Sequence, residues 1–224
     1  MKLYMHPGAC SLSPHIVCRE LGLEVETVPV ERGTYRLPDG GDYLGINGTG
    51  YVPALMLDDG AVLTEGPAIV QFLAASVASG RNLLPAVGSL ERSRVQSWLN
   101  FITSELHKPM VMLFNAAYAP AHDPIRGLVS RRLDWLNGRI GGPYLEGEGF
   151  SVADAYLFVC LNWSPWIGID LKTWPRLEAF FRAAAGRPAV QAALQAEGLH
   201  ASPENIFFAP RAGEDHRAAA GVRP

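Results

Sequence analysis

Cysteine is scarce. The 224 residues hold three, Cys10, Cys18 and Cys160, too few for the disulfide framework of a small secreted domain and in keeping with free thiols. Cys10 and Cys18 lie on one predicted helix, where eight residues at ~1.5 Å each separate them by ~12 Å, beyond the reach of a disulfide. Long apolar runs are absent too. None approaches the ~18 residues of a membrane span, and the opening "MKLYMHPGAC" has neither the apolar core nor the small-residue cleavage site of a secretory signal. A cytoplasmic protein is therefore expected. There is no basic block, and the formal net charge is −3. Nucleic acid and anionic membrane are thereby excluded as main partners. No internal repeat is visible, and no metal site is expected.

What is present is an ordinary globular mix, 48% apolar and 18% charged, long enough for one large core or two modest domains. The strand "KLYM" is followed by "SLSPHIVCRELG", a helix with Pro14 near its first turn and Gly22 as its stop. "VETVPV" reads as a strand whose Pro29 favours a sheet edge. "RGTYRLPDGGD" is a loop and "DYLGIN" a short helix. "PALML", the turn "DDG" and "AVL" form a β-hairpin. "GPAIVQFLAASV" is a helix with Pro67 at its start. This β-α-β-α-β-β-α order over residues 1–80 predicts one compact α/β layer. "ASGRNLLPAVGS" marks a boundary, with a linker at 81–88. Beyond it only helices are expected, over 89–200: a long one from Leu90 bent at Pro109, "DPIRGLVSRRLDWLNGRI", an apolar central helix "FSVADAYLFVCLNW", then "WPRLEAFFRAAAG" and "RPAVQAALQAEG". Ser151 and Asp154 have capping-box spacing, with Phe150 at the staple position, and are read as folding chemistry. Trp163, Trp166 and Trp174 are read as core. The tail, 201–224, is expected to be loose beyond Gly213, except that "NIFFAP" is apolar enough to dock.

Chemistry is suggested first by "HPGACSLSPH". Cys10 stands where a turn enters a helix, and the unpaired N–H groups there carry roughly half a positive charge. A thiol so placed is drawn below its ordinary value near 8.5, with Ser11 as a good N-cap. The alternative is a small apolar residue packed under a turn. Cys10–Ser13 has the C-x-x-C redox spacing with serine in the resolving place, so disulfide chemistry would need an outside thiol, for which glutathione is the abundant cytosolic candidate. "YVPAL" puts a proline directly before a strand. A cis Val52–Pro53 bond would aim the Val52 N–H and carbonyl outward, toward a peptide-like ligand. In "LTEGPAIV", Glu65 can meet an ammonium and the helix-start N–H of Gly66 a carboxylate, together an amino-acid head; a plain acidic helix start is the simpler reading. Asn100, Ser104 and His107 in "NFITSELH" fall within about 60° on one α-helical face. Three polar groups so aligned suggest a ligand or a partner, although His107 alone fits a structural histidine.

"MKLYMHPGACSLSPHIVCRELG", "GYVPALMLDDGAVLTEGPAIVQFLA", "WLNFITSELHKPM" and "FSVADAYLFV" resemble the bacterial beta-class glutathione S-transferases, in order and with little shift from Met1 to about Leu199. The resemblance implies a thioredoxin-like N-terminal domain, an all-α C-terminal domain and a homodimer. Glutathione would be the co-substrate and a hydrophobic electrophile the partner substrate, a detoxification chemistry. Cys10 would contact the glutathione sulfur, with Ser11 and His107 as further catalytic groups. Val52, beside Pro53, would pair with the cysteinyl backbone, and Glu65 and Gly66 would hold the γ-glutamyl head. Asn100, Ser104 and His107 would be the helical contributors, some reaching the other subunit. Tyr35 stands where the family often has a lysine, and Arg36 beside it is the candidate replacement for the glycine end. Three functions follow: conjugation of glutathione to apolar electrophiles; a thiol-disulfide oxidoreductase or reductive dehalogenase working through Cys10; or a non-catalytic carrier of apolar ligands.

Overall fold

The computed structural model describes residues 1–201 and 207–209. Strand β1 (Lys2–Met5) leads into helix α1 (Leu12–Leu21), which stops at Gly22, and β2 (Glu26–Pro29) returns parallel to β1. After a 3₁₀ turn at Tyr43–Gly45 come the antiparallel strands β3 (Ala54–Met56) and β4 (Val62–Thr64), then helix α2 (Gly66–Ala75). The sheet order is β2-β1-β3-β4, so the strand bearing Pro29 lies at an edge as its missing N–H requires. Side chains alternate across the sheet. Leu3 and Leu55 join the main core beneath α1 and α2, while Tyr4 and Ala54 pack on the other face with Val30 and Tyr43. Tyr4 is buried there and directs its hydroxyl to the Met56 sulfur.

The boundary stretch is closely packed. A 3₁₀ turn at Ala78–Asn82 brings Gly80 so near α2 that a Cβ on it would stand 1.8 Å from the Ala74 carbonyl oxygen. Leu83 and Leu84 are buried, and the Leu83 carbonyl accepts the Val152 N–H at 3.0 Å.

The helical part comprises α3 (Leu90–Phe101), α4 (Lys108–Met112), α5 (His122–Arg139), α6 (Val152–Asn162), α7 (Pro175–Ala185) and α8 (Pro188–Ala196). The expected bend at Pro109 takes another form: α3 and α4 are joined by a π-helical segment, Ile102–His107. Proline lacks an N–H and crowds the carbonyl four residues back, here that of Glu105. The wider turn, with Lys108 N–H bonding the Thr103 carbonyl, accommodates it without breaking the helix. Every residue of α6 is buried, and its start is the expected capping box: the Ser151 hydroxyl accepts from Asp154 N–H, and Asp154 accepts from Ser151 N–H. Helix α1 packs against α2, α6 and α8, which fastens the two parts together.

Past α8 the chain adds a two-stranded ribbon, β5 (His200–Ala201) with β6 (Phe208–Ala209). The expected docking of "NIFFAP" is seen for Phe207 and Phe208; Asn205, Ile206 and Pro210 lie outside the described residues, as does the stretch beyond Gly213. Among the described residues no helix is long and apolar enough to cross a membrane.

Candidate active site

Cys10 sits half-buried at the turn before α1, and its thiol donates to the Val52 carbonyl at 3.2 Å. The Val52–Pro53 peptide is cis, and Pro53 is buried directly before β3. The start of the interior strand β3 and the start of α1 thus meet at a single sulfur. The expected low thiol value is not found. Enclosure pushes Cys10 up to about 12, outweighing the N–H groups of Cys10 and Ser11 and the nearby Arg32 charge, all of which pull it down. Helix-end N–H groups favour a thiolate only where water or charge replaces the lost solvation; here desolvation wins and the thiol stays a donor.

Ser11 also departs from expectation. It stands at the helix start, but its side chain does not cap α1. It is buried, donating to the His6 carbonyl at 3.1 Å and accepting the His6 N–H at 3.2 Å, so it braces the loop that carries Cys10. Ser13 is buried with an unpartnered hydroxyl.

Glu65 is exposed and precedes α2 with φ 68°, a left-handed backbone conformation that non-glycine residues seldom adopt. Its charge acts on Cys10. Gly66 opens the helix, 3.8 Å from the Pro53 ring by the position its Cβ would take.

The three polar residues of the long helix do not share one face. Asn100 and Ser104 are exposed, with the Ser104 hydroxyl donating to the Asn100 carbonyl at 3.1 Å. His107 turns inward: its Nδ1 shares a short hydrogen bond with the Tyr156 hydroxyl, and its ring lies 5.2 Å from that of Trp163. The π turn is the cause, since a spacing computed for 3.6 residues per turn fails where the bonds run i to i+5. Burial lowers His107 to about 4 and raises the Tyr156 phenol, so both partners are neutral near pH 7. Tyr35 (φ 58°) lies half-buried over Gly50, beside the Tyr4–Tyr43 cluster. Arg36 is exposed and donates to the Gly40 carbonyl at 3.1 Å.

A model of the glutathione S-transferase N-terminal domain matches residues 8–76. The glutathione S-transferase GstA of Escherichia coli O157:H7 is 43% identical over 201 residues, covering 89% of this chain and all of that protein. The chain belongs to the glutathione S-transferase family. Among solved structures, the ternary complex of BphK, a bacterial glutathione S-transferase, is 52% identical with a TM-score of 0.86, covering 89% of this chain and 100% of that one. A sphingomonad glutathione S-transferase complexed with glutathione is 44% identical with a TM-score of 0.84 and the same coverage. A bacterial beta-class enzyme of Sphingomonas chungbukensis is 43% identical with a TM-score of 0.84, covering 88% of this chain and 99% of that one. The thioredoxin-like and all-helical halves read from the sequence are thus borne out as the glutathione S-transferase fold.

Four residues frame the site of this transferase-family chain without having been read as site residues in its sequence. Trp163, read only as core, donates its indole N–H to the Gly8 carbonyl at 2.9 Å. Glu197 accepts the Gly8 N–H at 2.9 Å through one oxygen and meets His15 Nδ1 at 2.8 Å through the other. Both groups of the Gly8 peptide, two residues before Cys10, are therefore held from the helical half. Tyr156 orients His107. Arg32, half-buried, is the loop cation whose charge reaches Cys10. Sequence separations of 155 and 189 residues leave no local signal for the Trp163 and Glu197 contacts. Arg32 was within reach, as the first residue of the loop read from the sequence.

Proposed function

We propose that this chain is a glutathione transferase that adds the glutathione sulfur to hydrophobic electrophiles. Residues 1–80 hold the tripeptide and 89–200 supply the electrophile side. The observation that carries this reading is the convergence of Cys10 on the outward Val52 carbonyl, beside the Glu65 corner. In the complex the cysteinyl N–H of glutathione takes over the Val52 carbonyl, and the γ-glutamyl head lies against Glu65 and the Gly66 N–H. Cys10, released from Val52, donates an S–H hydrogen bond to the glutathione thiolate. A donor aimed at a thiolate lowers the cost of forming it, each pKa unit being worth ~1.4 kcal/mol. His107, neutral and fixed by Tyr156, faces the same region through Trp163. The glutathione thiol gives its proton to water, and the thiolate forms a C–S bond to the electrophile, expelling its leaving group as an anion or adding to an activated double bond that then takes up a proton. The partly open rings of Phe114 and Trp166 face this chemistry, while Met110 and Leu113 are buried in the core.

The reading extends to a cytoplasmic homodimer active in detoxification, supported by the three free cysteines and by Asn100 and Ser104, whose exposure leaves them available to a second subunit's site. Arg32 and Arg36 are the cations offered to the glycine carboxylate. The high Cys10 value favours conjugation over a reaction in which Cys10 is itself the nucleophile. Calorimetry with glutathione, followed by conjugation of 1-chloro-2,4-dinitrobenzene, tests the proposal: binding at or below millimolar concentration with turnover is expected. Absence of binding would overturn it, and binding without turnover would leave a carrier.

A further inference from the structure

The motifs that carry the family resemblance end at about Leu199, yet the described residues beyond it are built into the helical half. Leu199 is buried, its N–H bonded to the Leu194 carbonyl at 2.8 Å. Strand β6 then lies antiparallel to β5, Phe208 opposite Ala201. One side chain seats it. Asn162, the buried last residue of α6, donates Nδ2 to the Phe208 carbonyl at 2.9 Å and accepts the Phe208 N–H on Oδ1 at 2.8 Å. A carboxamide that satisfies both main-chain groups of one residue does what a neighbouring strand would do. The aromatic rings complete the seat: Phe208 lies 6.3 Å from Phe158, and Phe207 lies 5.0 Å from Phe181 and 6.5 Å from Trp166.

The seat adjoins the candidate active site. Asn162 immediately precedes Trp163, whose ring meets His107 at 5.2 Å and Phe114 at 6.2 Å. Trp166, which Phe207 touches edge-on, is partly exposed one turn later. Both tryptophans belong to the short segment that follows α6, and Asn162 and Phe207 tie the ribbon to the two ends of that segment.

We propose that the β5–β6 ribbon is a specificity element of this transferase: Asn162 and Phe207 act as positioning residues that fix Trp163 and Trp166 as the wall of the electrophile site. The inference rests on the transferase reading. It assigns the ribbon to the electrophile and not to glutathione, because the described ribbon residues are seated on Asn162, Phe158, Phe181 and Trp166, whereas the Gly8 N–H is held separately by Glu197.

The test compares Phe207→Ala, Phe207→Leu and Asn162→Ala with the unaltered full chain, using glutathione and S-hexylglutathione in calorimetry and 1-chloro-2,4-dinitrobenzene in kinetics. Phe207→Ala is expected to weaken S-hexylglutathione binding and raise the KM for the electrophile about fivefold, the size of one lost aromatic contact. Glutathione affinity should stay within about twofold, and Phe207→Leu should recover most of the loss. Asn162→Ala should act in the same direction and more strongly; if it fails to fold, the Phe207 pair decides. Unchanged constants, or glutathione and S-hexylglutathione weakening together with a lower Tm, would make the ribbon a structural brace and overturn the inference. Failure of the unaltered chain to bind glutathione would instead sink the transferase reading.

Discussion

The two halves of the molecule hold the site in different ways. The α/β half offers main-chain groups and exposed or half-exposed side chains at bends: the Val52 carbonyl at a cis peptide, Glu65 at φ 68°, Cys10 at a helix start. The helical half offers buried side chains already engaged with one another: His107 with Tyr156, Trp163 with Gly8, Glu197 with Gly8 and His15. One half exposes polar groups for a peptide to complete; the other stores its polar groups in finished bonds and uses them as a frame. Substitutions in the first should therefore change binding with little change in folding, and substitutions in the second should do the reverse.

The largest effect is expected where the frame is most buried. Asp154 accepts from Leu145 N–H at 2.8 Å, Ser151 N–H at 2.8 Å and the Ser151 hydroxyl at 2.6 Å, all within the interior. Asp154→Ala orphans two buried N–H groups at ~1–3 kcal/mol each and removes a cap worth ~1 kcal/mol. A loss of about 3–5 kcal/mol, or roughly 10 °C in Tm, should appear in thermal melts. Glutathione affinity of the protein that remains folded should be unchanged; a large affinity loss would erase the distinction between the halves.

Glu65→Gln is the opposite case. It removes a charge that would meet the ligand's ammonium, an interaction worth about 1.5–3 kcal/mol. The glutathione KM should rise tenfold or more, with Tm moving by less than about 2 °C because the residue is exposed. A drop in Tm without a change in KM would assign Glu65 to folding.

Each half holds a partly buried histidine pushed toward its neutral form. His6 and His107 are both lowered to about 4 by desolvation. In the unfolded chain both titrate near 6.5, so below that value the unfolded state takes up protons that the folded state refuses. The stability these residues contribute is complete above about pH 6.5 and is lost as pH falls toward 4, with a slope of up to about 1.4 kcal/mol per pH unit for each. Melts between pH 7 and 4 should show the decline, and His107→Gln should reduce its slope. A slope unaltered by that substitution would mean His107 is not held neutral.

The contrast between the halves also explains what the sequence made legible. Pro29, Gly22, the DDG hairpin and the Ser151–Asp154 box act on their own neighbourhoods, and each was readable from residues within four positions. The same holds for Val52–Pro53 and Glu65–Gly66, where local geometry is the function. His107 was readable as a polar residue of the long helix, but its direction was not, because a proline two residues on opens the helix into a π turn. Trp163 and Glu197 were invisible as site residues: their partner is the Gly8 peptide, and only the folded chain brings them together. The Cys10 value was misread for a related reason. Helix position is a local property, whereas desolvation is set by everything packed around the sulfur.

The smallest effect expected is the most discriminating. With its thiol raised to about 12 and donating to Val52, Cys10 is protonated throughout the neutral range, and its part in conjugation is that of one donor among several. Cys10→Ala should leave kcat/KM within about threefold of the unaltered enzyme, the order of one weak hydrogen bond. The same protonation predicts slow alkylation by iodoacetamide at pH 7, with a rate that is still rising about tenfold per pH unit beyond pH 9 instead of levelling off. The label reports on Cys10 because Cys18 and Cys160 are buried. Rapid alkylation at neutral pH, together with an inactive Cys10→Ala variant, would show that the helix start overcomes desolvation after all. The α/β half would then supply the nucleophile itself, and the chemistry would move from conjugation to thiol exchange at Cys10.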